Sequence, residues 1–103
     1  MARRKIVWTK SANLERKAIL SYWIERNLSK RYSIRLNEMI KETLKIAALY
    51  PESGRRTNEG NTRVKIIRDY LLFYDYNESE IIILSIWDAN RDDKLSPVDF
   101  KNI

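Results

Sequence analysis

A chain of 103 residues, 44% hydrophobic and 33% charged, has the size and make-up of one folded domain with a single modest core. It contains no cysteine and no histidine, which excludes disulfides, thiolate zinc sites and cysteine nucleophiles and removes the commonest metal ligand and neutral-pH acid–base group. Twenty Lys and Arg against 14 Asp and Glu leave a net charge of +6, a surplus that suits nucleic acid, an acidic protein segment or a membrane surface, or simply solubility.

The carboxylates are scattered, with no pair at metal-ligand spacing, so neither a metal nor a cofactor is expected. No apolar run reaches the length of a bilayer span, and the basic start "MARRKIVWTK" lacks an apolar signal core. The expectation is a cytoplasmic protein without membrane attachment. One domain over 1–103 is expected, with flexibility expected in the tail from about residue 96.

In chain order, "KIVWT" (5–9) reads as a short strand, with Thr9 or Ser11 as cap of the following helix. That helix, "ANLERKAILSYWIERN", carries Leu14, Ala18 and Tyr22 at i, i+4 spacing, continued by Ile19 and Trp23, with Leu20 and Ile24 around the other side. Its wide apolar face predicts burial against both a sheet and a second helix. Asn27 ends it and Ser29 caps the next helix, "KRYSIRLNEMIKETLKIAALY". There Leu36, Ile40, Thr43, Leu44 and Ala47 share one side, with Arg35, Lys41, Glu42 and Lys45 largely opposite. So short a connection makes the two helices an antiparallel hairpin.

"YPESGRRTNEGN" holds Pro51 and both glycines, Gly54 and Gly60, and reads as a polar surface loop in which Arg55 and Arg56 are solvated charges. Three strands follow: "TRVKIIR", a tight turn at Asp69 into "YLLFYDY", and a turn at "NESE" into the apolar run "IIILSIW". The resulting fold class is α+β. An N-terminal strand and an antiparallel helical hairpin pack on a twisted, mainly antiparallel sheet of three to four strands.

On the first of these three strands, Arg63 and Lys65 share one face and Val64 and Ile66 the other. The apolar face is expected to rest on the helices, leaving the basic one open to an anion. Trp87, ending the last strand, reads as a core edge with its N–H bonded outward, or as the lining of a partner groove.

Four stretches, "VWTKSANLERKAILSYWIERN", "ALYPESGRRT", "TRVKIIRDYLLFYDY" and "IIILSIWDANRDD", spanning residues 6 to 93, resemble the RelE/ParE superfamily of bacterial toxin–antitoxin toxins. The resemblance implies this same α+β architecture, growth inhibition, and neutralisation by a cognate antitoxin in a hetero-oligomer. It also implies one of two targets. RelE-like members cut messenger RNA on the ribosome; ParE-like members act on DNA gyrase.

Carried over from the ribonuclease members, Arg63 and Lys65 match a basic pair and Arg91 the Arg after the last strand. Leu71 stands where a further Arg would be, and Leu95 near where a Tyr or His would be. Two parts of a ribonuclease site are therefore missing, which favours the gyrase branch and a protein that is not an enzyme. The alternatives are a ribosome-dependent endoribonuclease and a degenerate toxin that only binds its antitoxin. Arg63, Lys65, Arg68 and Arg91 are the expected target- or nucleic-acid-binding residues. Leu20, Ile24 and Trp87 are the expected antitoxin contacts, although Leu20 and Ile24 fit packing against the second helix equally.

Overall fold

The computed structural model describes residues 3–58 and 60–89. In chain order they form β1 (Lys5–Trp8), α1 (Lys10–Asn27), α2 (Arg31–Leu49), a 3₁₀ turn (Pro51–Ser53), β2 (Arg55–Arg56), β3 (Arg63–Ile67), β4 (Tyr70–Tyr76) and β5 (Glu80–Asp88). The strands make one sheet in the order β1-β5-β4-β3-β2, with β1 parallel to β5 and every other pair antiparallel. The α+β class, the helical hairpin and the mainly antiparallel sheet are as the sequence predicts. The sheet has five strands rather than three or four, because Arg55 and Arg56 pair with Val64 and Arg63 instead of lying in a loop.

Thr9 both ends β1 and starts α1. Its hydroxyl donates to the Ile83 carbonyl (2.8 Å) and accepts from the Ala12 N–H (3.2 Å), satisfying one of the orphan donors of the first helical turn. Leu28 closes α1 in the left-handed region (φ 51), returning its N–H to the Ile24 carbonyl, and α2 begins at Arg31. The two-residue turn between β3 and β4 puts Arg68 at φ 57, a conformation hairpin turns usually give to Gly or Asn.

The main core lies between hairpin and sheet. Ala12 of α1 and Leu36, Ile40, Leu44, Ala47 and Ala48 of α2 meet Ile67, Tyr70, Leu72, Tyr74, Ile81, Ile83 and Ile86. A second, smaller cluster of Val64, Leu71 and Phe73, with Leu84 and Trp87 against it, uses the alternate strand positions and so occupies the opposite sheet face. β4 is therefore apolar on both faces, and Leu72, Phe73 and Tyr74 are all fully buried.

A register shift opposite Phe73 and Tyr74, which pair with Ser85 and Ile83, leaves Leu84 as an extra residue in β5. β1 stops at Trp8, paired with Ile83. Beyond that point α1 takes over its place: Glu15 Oε1 accepts from the Ile86 N–H (3.1 Å) and from Ser85 Oγ (3.0 Å), satisfying a strand edge that has lost its neighbour.

Candidate functional site

The register of β3 reverses one expectation. Arg63 lies opposite Tyr74, Lys65 opposite Leu72 and Ile67 opposite Tyr70, and these partners belong to the core under the hairpin. Val64 pairs with Phe73 and Ile66 with Leu71, on the far face. The basic side of β3 therefore faces the helices, and the apolar side faces away. The alternation is as the sequence predicts, whereas its direction has no signal in the sequence, because β4 presents apolar side chains on both faces and either would make a core. Nor are the two apolar residues equivalent: Val64 is buried, whereas Ile66 remains 53% exposed.

Arg63 is held rather than free. Its Nη1 donates to the carbonyls of Gly54 (3.1 Å) and Glu52 (3.3 Å), pinning the segment that follows α2. The same segment is locked from below by Tyr74, whose hydroxyl donates to the Pro51 carbonyl (2.6 Å) and accepts from the Gly54 N–H (3.1 Å). Burial pushes the Tyr74 phenol above its ordinary range, partly offset by the Gly54 hydrogen bond and the nearby Arg63 charge. Lys65, next along the same side, has its ammonium pushed below its ordinary value by burial. Arg68 stands exposed on the β3–β4 turn, beside a shallow surface shared with Glu38 and Glu42 of α2. Arg63 and Lys65 thus share a strand side, Arg68 lies just beyond the strand end, and Arg91 and Leu95 fall outside the described residues, as does the tail from residue 96.

The expected antitoxin contacts separate as well. Leu20 is half-buried against the main core, and its carbonyl accepts from Ser33 Oγ of α2 (2.6 Å), so much of its surface goes to helix–helix packing. Ile24 is half-buried one turn later. Trp87 packs on the far-face cluster and also lines a groove beside α1.

That groove, about 680 Å³, runs between the C-terminal half of α1 and the end of β5, where β1 has already stopped. Tyr22, Trp23, Tyr70 and Trp87 provide its aromatic walls. Trp23 Nε1 donates to the Tyr70 hydroxyl (2.7 Å) and its ring meets Tyr22 and Tyr32 edge-on, which fixes the wall. On the outer side of α1, Leu14 (57% exposed), Ala18 and Tyr22 (51% exposed) form an apolar stripe in solvent, although their spacing suggested a buried face. The buried stripe is instead Ala12, Ile19 and Trp23, with Leu20 beside it.

Among the described residues no group of three or more potential ligands is placed to hold a metal ion, and no helix is long and apolar enough to cross a membrane. The model of the family described as "ParE toxin of type II toxin-antitoxin system, parDE" matches residues 6–93. The chain belongs to the ParE toxin family. No curated protein sequence matches this ParE-family chain. A solved structure described as the chromosomal ParDE TA system from P. aeruginosa is similar to it in fold. The TM-score is 0.72 at 17% identity, over 85% of this chain and 98% of that one.

Three features of this ParE-family fold escaped sequence reasoning. Glu15 had a signal, since it is a carboxylate on the Ala12–Ile19 stripe, where a charge must find a partner. The Tyr74–Gly54 lock had half of one, a glycine in an extended segment after a proline. The Trp23–Tyr70 bond joins residues 47 apart and left no local trace.

Proposed function

We propose that this toxin arrests growth by poisoning DNA gyrase and is neutralised by a cognate antitoxin whose C-terminal segment folds on its surface. Membership of the ParE family over residues 6–93 carries the reading. Its support from chemistry is the absence of histidine from the sequence and, among the described residues, the engagement of the core tyrosines beside the basic strand. RNA cleavage by 2′-OH attack needs a group to take the hydroxyl proton and another to protonate the leaving oxygen. The chain has no histidine. Leu71 is buried in the far-face cluster, and the phenols of Tyr70 and Tyr74 are engaged in hydrogen bonds, with burial as the main cause raising their pKa values.

A gyrase poison needs none of these groups, because it works by occupying a protein–DNA machine. In this reading Lys65, Arg68 and Arg91 contact gyrase or its DNA, and Arg63 contributes charge while holding the Pro51–Gly54 segment. Leu20, Ile24 and Trp87 contact the antitoxin at their exposed portions, and the protein acts in the cytoplasm.

The test is induction of the protein alone, with messenger RNA ends and chromosome integrity followed together. Chromosome breakage with intact messages supports the reading. Messages cut within translated codons on ribosomes would replace it with the ribonuclease alternative, and normal growth with neither lesion would leave only antitoxin binding.

A further inference from the structure

The turn between α1 and α2 is built against stability. Leu28, which closes α1, sits in the left-handed region (φ 51), where glycine would be at ease, and its side chain is 91% exposed. No carboxylate occurs in the sequence between Glu25 and Glu38, whereas Lys30, Arg31 and Arg35 all fall there, and all three are exposed. Arg31 and Arg35 stand one helical turn apart as a like-charge pair, and α2 has no acidic residue in its first turn to meet its positive pole. Among the described residues, none of these three side chains makes an ion pair or a hydrogen bond. Residues 90–103 hold three cations and three carboxylates, so the whole surplus of +6 belongs to residues 1–89.

Beside the cations a shallow hollow of about 270 Å³ is lined by Asn27, Ser29, Arg31, Tyr32 and Arg35. Its donors are of the kinds that hold phosphate oxygens: two guanidinium groups, an amide, and a hydroxyl whose oxygen accepts from the Arg31 N–H (3.2 Å) while its own proton can still donate. We propose that the α1–α2 turn is a docking surface for the backbone of duplex DNA, with Lys30, Arg31 and Arg35 on phosphates and Leu28 pressed into the groove between them. An apolar wedge flanked by cations is a recurrent way of gripping a deformed duplex. Other anionic surfaces match less of the turn. Single strands are held by stacking on open rings, and the ring in this hollow, Tyr32, is half-buried and edge-on to Trp23. A lone leucine offers a lipid surface far less apolar area than a single acyl chain, which itself binds only marginally. The inference concerns DNA itself and does not rest on the gyrase reading.

The test uses the purified full chain and a fluorescein-labelled DNA duplex of arbitrary sequence, with anisotropy followed across a salt series. Each phosphate contact contributes about 0.9 to the slope of log affinity against log salt. The triple variant Lys30→Gln, Arg31→Gln, Arg35→Gln should therefore bind more weakly, with a slope shallower by about 2–3. A charge-matched triple, Lys17→Gln, Lys41→Gln, Lys45→Gln, removes exposed cations away from the turn and should change the slope by less than about 1. Leu28→Gly should weaken binding about tenfold at an unchanged slope, because an apolar contact releases no counterions. Its melting midpoint should be no lower than the parent's, because glycine suits the left-handed position. Equal slopes in the two triples, parental binding by Leu28→Gly, or tighter binding to phosphatidylserine vesicles or polyglutamate than to the duplex would overturn the proposal. Gyrase poisoning is scored separately. A parent that poisons gyrase while the turn triple binds DNA as the parent does removes only this inference, whereas the expected DNA results with gyrase unaffected by the parent remove only the gyrase reading.

Discussion

Replacing Gly54 with alanine isolates a single steric contact. Gly54 is extended (φ −76, ψ 158), a conformation any residue adopts, so alanine brings no backbone strain. What it brings is a Cβ 2.5 Å from the Tyr74 hydroxyl oxygen and 3.0 Å from two carbons of the ring. The ring cannot retreat, because Tyr74 is fully buried and its hydroxyl is tied to Gly54 and Pro51. Overpacking of this kind costs about 1–3 kcal/mol. Loosening one of the two hydrogen bonds adds about 1 kcal/mol. At roughly 4–8 °C per kcal/mol for a domain near this size, the midpoint of thermal unfolding should fall by about 8–30 °C. Tyr74→Phe alone should cost about 1–3 kcal/mol by leaving the Gly54 N–H and Pro51 carbonyl unpartnered. In the double variant the new methyl occupies the space the hydroxyl vacated, so the combined loss should be smaller than the sum by about 1 kcal/mol or more. Circular dichroism melts of the four proteins decide the matter. A Gly54→Ala protein that melts with the parent, or strict additivity in the double variant, would refute the contact as described.

The two far-face apolar residues of β3 should differ sharply: Val64→Ala should cost about 1.5–3 kcal/mol through lost burial and a residual cavity, and Ile66→Ala under about 1 kcal/mol, measured by chemical denaturation. Glu15→Ala should cost about 1–3 kcal/mol by stranding the Ile86 N–H and Ser85 hydroxyl, while Glu15→Gln, which keeps an acceptor, should recover much of it in the same assay. Arg63→Ala should lower the melting midpoint, and Arg63→Lys should restore it only in part, because the shorter, more strongly hydrated lysine does not place its nitrogen where Arg63 Nη1 meets both carbonyls; equal stability of all three would mean that the clamp carries no weight. The pKa values of Tyr70 and Tyr74 are raised in the folded state, so their contribution to stability is complete below the unfolded phenol value of about 10 and is lost as pH rises above it through the folded values. Lys65, whose folded value is lowered, has the opposite sign. Stability measured by denaturation against pH should therefore fall off above about 10, less steeply in Tyr74→Phe and more steeply in Lys65→Met.

Most of the fold was legible because its elements carry their own periodicity. α2 has Leu36, Ile40, Leu44 and Ala47 on one side and all four are buried. β3, β4 and β5 are separated by short turns with turn chemistry, as where Asn77 Oδ1 accepts from the N–H groups of Ser79 and Glu80. β2 was illegible because two residues, Arg55 and Arg56, hold too short a pattern to show a period. The facing of α1 was misread because its apolar residues are spread around the helix, so Leu14 and Tyr22 looked as buried as Ile19 and Trp23. The facing of β3 depended on which side of β4 the hairpin covers, and that choice is made by tertiary packing, with no trace in the strand itself. Of the candidate site, the residue types were visible and their environments were not. Arg63 looked like an open cation and is a clamp on Gly54 and Glu52, while the groove arises from the early end of β1 and the path of α1 past β5.

The central claim, that this ParE-family toxin acts on gyrase, is met most directly by incubating the purified protein with DNA gyrase, ATP and relaxed plasmid, then trapping covalent complexes with detergent. The account predicts loss of supercoiling with accumulation of linear, gyrase-bound plasmid, reversed when antitoxin is added first. Unimpaired supercoiling with no trapped complexes, at protein concentrations that arrest growth in cells, would contradict it.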